Sequence, residues 1–246
     1  QSIKLVDVKA NDNAVLEALA IDGATIIAEN GAVSLDAVQI AASTITAETG
    51  DVTFVGEDLY NLTVTAGGVI DGTAVTGNIN MGEYLATGDI DFTDATLISG
   101  ASFDSSDNIT LTASGAITLV DVKANDDATI TAAEIDGATV IAENGDVTLT
   151  ADQIAASTIT AETGTVTFIG EDLYNLTVTA GGEIDGTAVT GNIVQGDYLA
   201  TGSITFSDAT LIASASFDSS DDITLIADQS IKLVDVKAND NAVLEA

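Results

Sequence analysis

Asp146-Val147-Thr148-Leu149-Thr150-Ala151, then Ile154, then Ser157-Thr158-Ile159-Thr160-Ala161-Glu162-Thr163-Gly164 make one complete 19-residue beat, and reading it decides the fold. Val147 and Leu149 flank a polar Thr, which is the period-2 alternation of a half-buried strand. Thr158-Ile159-Thr160-Ala161 alternates in the same way. A polar turn ends the beat. The beat then recurs along the whole chain. Its second position holds Val33, Val52, Ile70, Ile90, Ile109, Val166, Ile184, Ile204 and Ile223. Its fourth holds Leu16, Leu35, Phe54, Phe92, Leu111, Ile130, Phe168, Phe206 and Leu225. The last position is Gly31, Gly50, Gly68 or Gly88, or else Asp107 or Asp126. Glycine takes positive φ freely and Asp tolerates it, so these residues are expected to form the turns, with Gly50, Gly88, Gly164 and Gly202 among them. The beat slips once per long unit. The coil from Asp51 is best read as 18 residues and the next, from Val69, as 20. There Gly72 and Gly186 stand in the large fourth position, and a local bulge is expected.

A longer period encloses the short one. Aligning 1–114 with 115–228 without a gap gives 86 identities, and residues 229–246 repeat 1–18 letter for letter. The chain therefore divides into 1–114 (six coils), 115–228 (six coils) and 229–246, the opening of a further repeat. No composition shift marks a linker, so one continuous solenoid is expected. One beat of short strands cannot bury its apolar face alone. Stacking coil on coil buries it and pairs each backbone group with the coil above and below, about 4.8 Å away. The expected fold is all-β, a parallel β-helix with about 19 residues per coil. The rival, a string of Ig-like domains of 114 residues, gives no reason to keep a 19-residue register six times per domain.

Composition narrows the setting. There is no Pro, Cys, Trp, His or Arg, and the five cationic residues are all Lys. Lack of Pro suits a ladder in which every N–H is used. Lack of Cys places stability in stacked coils and leaves the redox compartment open. No apolar run is long enough to span a membrane, and no export leader opens the sequence. The formal net charge is −34. Thirteen coils rising about 4.8 Å each would carry one net charge per ~1.8 Å, close to the density of duplex DNA. Such a surface repels nucleic acid and anionic membranes.

The same charge attracts cations. Asp104-Ser105-Ser106-Asp107, Asp218-Ser219-Ser220-Asp221-Asp222 and Asn125-Asp126-Asp127 fall at expected turns. Their like charges would stack across coils, so Asp104, Asp107, Asp126, Asp127, Asp218, Asp221 and Asp222 are candidate ligands for hard, oxygen-liking ions such as Ca²⁺. No EF-hand or Gly-Gly-x-Gly-x-Asp nonapeptide is present. No other cofactor is implied. An enzyme is not expected: His and Arg are absent, Lys is scarce, and every acidic cluster recurs in the repeat. Thr44 and Thr46 stack beneath Thr63 and Thr65, as on ice-binding solenoids, although Thr is also an ordinary outward strand residue. Tyr60, Tyr84, Tyr174 and Tyr198 are expected to cap coil edges; the alternative is that they grip sugars from an exposed face. Asn61-Leu62-Thr63, Asn108-Ile109-Thr110 and Asn175-Leu176-Thr177 match the glycosylation sequon.

Val-Thr-Leu-Thr-Ala, a polar turn and Ser-Thr-Ile-Thr-Ala-Glu-Thr-Gly together resemble the 19-residue repeats of filamentous haemagglutinin-type adhesins. The resemblance covers nearly the whole chain and is weakest in the coils from Val69 and Glu183. It implies a right-handed β-helix in a very long exported surface protein with an adhesive or spacing role. High self-identity and acidity depart from that family and favour a stalk or fibre segment over receptor binding. The expected function is thus structural: a stiff acidic shaft of an extracellular filament, stalk or adhesin at the cell surface. The alternative is an adhesive module that engages polysaccharide or ice through a repeated face. Expected partners are further copies of the repeat in cis, end-to-end or lateral self-association, and divalent cations, with no nucleic acid and no membrane insertion.

Overall fold

A computed structural model describes all residues, Gln1–Ala246, and contains strands without a helix. No helix is long and apolar enough to cross a membrane. Two compact units are present, Gln1–Ala124 and Asn125–Ala246. Each is a parallel β-solenoid.

Three inward ladders run through each coil. In the first unit, strands Val33–Ala41, Thr44–Ala47 and Val52–Ala66 show how they arise. The first ladder joins Ala14, Val33, Val52, Ile70, Ile90 and Ile109, all parallel and in register. Leu16, Leu35 and Phe54 stack beside it two residues further on. A second joins Ile21, Ile40, Leu59, Ile79, Ile98 and Ile117. The third joins Ile26, Ile45, Val64, Tyr84, Phe103 and Val122, with an alanine ladder two residues later. Every member of these ladders named here is buried. The second unit repeats the plan, with Val147, Leu149, Ile154 and Ile159 in corresponding places. The two alternating runs legible in the sequence are the first and third ladders. The second rests on a single apolar residue per coil, the position of Ile154 in the beat, and so recurs every 19 or 20 residues without an alternating run of its own.

The slip is where the sequence places it. Val52 pairs with Ile70 and Ile70 with Ile90, steps of 18 and 20 residues, and the register shifts between Thr53 and Val55. Val166, Ile184 and Ile204 do the same in the second unit. A ring fills the bulge. A Cβ on Gly72 would lie 2.0 Å from Phe92 Cε1, and one on Gly186 equally close to Phe206. The aromatic side chain of the next coil occupies the space that a fourth-position side chain would need.

Turn glycines work differently from the expectation. Gly50 and Gly164 do not adopt positive φ. They are required by close approach, since a Cβ on Gly50 would come within 2.5 Å of Gly31 O. Gly56, Gly82 and Gly170 hold a more extended positive φ near +150, while the left-handed turn, φ between +47 and +65, belongs to the corner between the second and third ladders, once per coil. Leu5, Gly23, Ala42, Asn61, Met81, Gly100 and Leu119 hold it in the first unit. Gly137, Ala156, Asn175, Gln195, Ser214 and Leu233 hold it in the second. A single left-handed residue turns the chain there, and backbone geometry rather than residue type sets the position. The tyrosines also depart from expectation. Tyr84 and Tyr198 are core residues, each 1% exposed. Tyr84 stacks on Phe103 at 5.0 Å between ring centroids and meets Phe92 edge-on, and Tyr198 does likewise with Phe217 and Phe206. Only Tyr60 and Tyr174 reach the surface.

Candidate functional site

The acidic turns are built by the ladder that precedes them. At the end of the third strand the alanine ladder is interrupted by Ser105 and Ser219, both buried. Ser105 Oγ donates to Gly88 O at 2.7 Å and accepts the Asp107 N–H at 2.9 Å. Ser219 repeats both bonds with Gly202 and Asp221. A buried hydroxyl with both functions satisfied therefore fixes each Asp-Ser-Ser-Asp turn.

The next residue caps the coil above. Asn13 Oδ1 accepts the Ala32 N–H at 2.9 Å, Asp51 that of Val69 at 2.8 Å, and Asp127 that of Asp146 at 2.8 Å. Asp146 in turn accepts the Thr165 N–H at 2.7 Å. Asp222 accepts both the backbone N–H and the Nδ2 of Asn241 at 2.9 Å. These side-chain oxygens, carboxylate in every case but Asn13, close backbone donors that the turn would otherwise leave without a ladder partner. Part of the chain's acidity is thus spent on joining one coil to the next.

The seven candidate cation ligands separate into four kinds. Asp104 and Asp218 lie in strands, Leu97–Ser105 and Ile204–Ser219, rather than at turns. Their stacking neighbours are not acidic. Asp104 stands between Leu85 and Lys123, and Asp218 between Leu199 and Lys237. Lys237 Nζ approaches Asp218 Oδ2 to 2.8 Å. Strand alternation points both residues outward, which spacing alone did not reveal. Asp126 accepts from Asn125 Nδ2 at 3.0 Å, and Asp107 from Asn108 Nδ2 at 3.2 Å. Asp127 is a backbone cap. Only Asp221 and Asp222 are brought together with a further carboxylate. Their oxygens and those of Asp240 all lie within 4.8 Å of one another. Asp240 belongs to the following coil, so it is adjacent only through the 19-residue stacking. Reading the repeat across coils, Asp221 to Asp240, is the signal that would have found it. Three carboxylates at this separation are able to share a divalent ion, with Ser203 Oγ donating to Asp221 Oδ2 at 3.2 Å beside them.

One other carboxylate is electrostatically distinct. Desolvation, followed by the charges of Asp89 and Asp71, raises the Asp91 pKa, while a hydrogen bond from Thr110 opposes the shift. Asp71 is its register neighbour on the ladder below.

The outward threonines do align. Thr25, Thr44 and Thr63 form one rank and Thr46 and Thr65 another, until Glu83 and Leu85 end both. Asn61 and Asn175, the acceptors of two sequons, stand exposed at left-handed corners. Asn108 Nδ2 is held by Asp89 Oδ1 at 3.0 Å.

Compared with protein-family models, with curated proteins and with solved structures, the chain matches none.

Proposed function

We propose that the chain is a structural segment of a long extracellular repeat protein, the stiff acidic shaft of a surface filament, stalk or adhesin. The observation that carries this reading is the parallel ladder of each unit, in which backbone pairing, apolar stacking and carboxylate caps all join one coil to the next. A load along such a ladder is shared by many interstrand bonds. The outward acids keep the surface hydrated and mutually repelling. The proposal assigns no catalysis to the chain, because the sequence has no His or Arg and its acidic clusters recur in the repeat. Further repeats in cis are the proposed neighbours. Divalent cations are the proposed solution partners, with Ca²⁺ held by Asp221, Asp222 and Asp240 and elsewhere screening the surface. The aligned threonine ranks favour a second reading, an adhesive face for polysaccharide or ice.

Small-angle scattering of the chain, with and without Ca²⁺, tests the shaft. A constant thin cross-section and an end-to-end dimension proportional to coil number support it. A compact or freely jointed particle sinks it. A Ca²⁺ titration of the melting temperature, matched in ionic strength with NaCl, tests the cation site. A saturable, Ca²⁺-selective rise that Asp240→Asn removes supports ordered binding. Equal shifts with NaCl leave screening alone.

A further inference from the structure

A groove of about 420 Å³ follows the left-handed corner of the first unit. Gly100 is its floor. With φ +63 and no side chain it leaves open space, so that an added Cβ would meet nothing nearer than Met81 Cγ at 3.6 Å. Met81 and Leu119, left-handed corner residues on the neighbouring coils, stand on either side and are 42% and 68% exposed. The rim is charged. Glu83, Ser102 and Asp121 occupy successive rungs in register. The two carboxylates are thus two rungs apart, about 9.6 Å along the ladder, with a hydroxyl between them. No basic residue lines the groove.

Two exposed apolar side chains in a mostly polar lining, an open floor and two spaced carboxylates suit a particular cation. A bare divalent ion wants six to eight oxygens gathered at one point, and here the oxygens are spread along a line. An alkylammonium chain wants methylene contacts between its charges. We propose that this groove binds a linear aliphatic polyamine, its methylenes over Gly100 between Met81 and Leu119 and its ammonium groups at Glu83 and Asp121. Ser102 accepts a hydrogen bond from the chain between them. The second unit lacks the arrangement. Ser214 stands where Gly100 does, Gln195 replaces Met81, and Ser216 Oγ already donates to Asp197 Oδ1 at 2.6 Å. The chain therefore has one such site, in the first unit.

Spermidine is the probe, titrated calorimetrically into the whole chain at about 0.15 M NaCl, where attraction to exposed charges is screened beyond about 8 Å. The expected result is one saturable site per chain, with amide shifts in nitrogen-edited NMR spectra confined to the groove residues around Gly100. Gly100→Ser, which installs the residue found at the same corner of the second unit, weakens binding at least tenfold. So does the pair Glu83→Gln with Asp121→Asn. Glu57→Gln, an exposed acid off the groove, leaves affinity unchanged. Circular dichroism confirms that every variant keeps its β-structure. Binding of several spermidines per chain with the same affinity in all variants overturns the proposal in favour of diffuse condensation. Absence of saturable binding also overturns it, as does equal competition by Mg²⁺.

Discussion

Ala42 and Ala156 turn the chain with φ near +47, a conformation that costs an L-residue about 1–2 kcal/mol and glycine almost nothing. Gly23 and Gly137 already occupy the equivalent corner. Ala42→Gly is therefore expected to stabilise the first unit by about 0.5–1 kcal/mol, after the greater freedom of glycine in the unfolded chain is deducted. A urea midpoint that falls instead would show that the corner is not under strain. The phenols of Tyr84 and Tyr198 behave in the opposite sense. Both hydroxyls are buried and neither has a hydrogen-bond partner. Leaving such a group unmade costs about 1–3 kcal/mol, so Tyr84→Phe is expected to hold or raise the melting temperature while keeping the stack on Phe103. Burial pushes both phenol pKa values well above the ordinary range. The neutral form is thus the one the fold retains. The unfolded chain sheds these protons near pH 10 and the folded chain does not, so stability is complete below about pH 10 and falls as pH rises beyond it. Each phenol contributes a slope of about 1.4 kcal/mol per pH unit. Denaturant titrations between pH 9 and 12 check this, with the slope lessened in the Tyr84→Phe, Tyr198→Phe double variant.

At the scale of the strand, two glycines are more constrained than those at the turns. Gly56 lies within the strand Val52–Ala66 at φ +152, and an added Cβ would sit 1.8 Å from Ala37 O on the preceding coil. Gly170 meets Ala151 O in the same way. Gly56→Ala is expected to force the two coils apart and to cost more than about 2 kcal/mol. Hydrogen exchange should report the loss first at Asp36–Ala41 and Glu57–Leu62, whereas uniform protection would refute the close approach. Leu149 tests the ladder itself. It is fully buried between Ile130 and Phe168. Leu149→Ala is expected to cost about 2–5 kcal/mol through a cavity. Leu149→Asp, which buries an unpaired carboxylate, is expected to unfold the adjoining coils; an unchanged melting curve would mean that the register is wrong.

At the scale of the whole chain the dominant quantity is −34 formal charges on 246 residues. The ion pairs of Lys9 with Glu29 and of Lys237 with Asp218 relieve little of it, since both lysines are largely exposed and both carboxylates remain at least a third exposed. Self-repulsion opposes every compact state and is screened by salt. Raising NaCl from about 0.02 to 0.5 M, which shortens the screening length from over 20 Å to under 5 Å, is expected to raise the melting temperature in differential scanning calorimetry. A flat response would mean that the carboxylate caps and the spacing of the coils already offset the repulsion.

The sequence by itself determined the all-β solenoid, the 19-residue step, the 18-then-20 slip and its bulge. Each is written in apolar alternation repeated at fixed distance, and alternation is a local property of strands. Tertiary structure alone decided what each non-periodic residue does. Tyr84 and Tyr198 enter the core in register with Val64 and Val178 on the third ladder, where neighbouring phenylalanine rings pack against them. Asp104 and Asp218 face outward beside Lys123 and Lys237 because their strands run further than the turn signals suggest. Asp240 joins Asp221 and Asp222, and Glu83 lines up with Asp121, only because stacking sets residues 19 or more positions apart side by side. A carboxylate looks the same in a sequence whether it caps a coil, pairs with a lysine or faces a groove. Its task is fixed by the atoms that packing places around it.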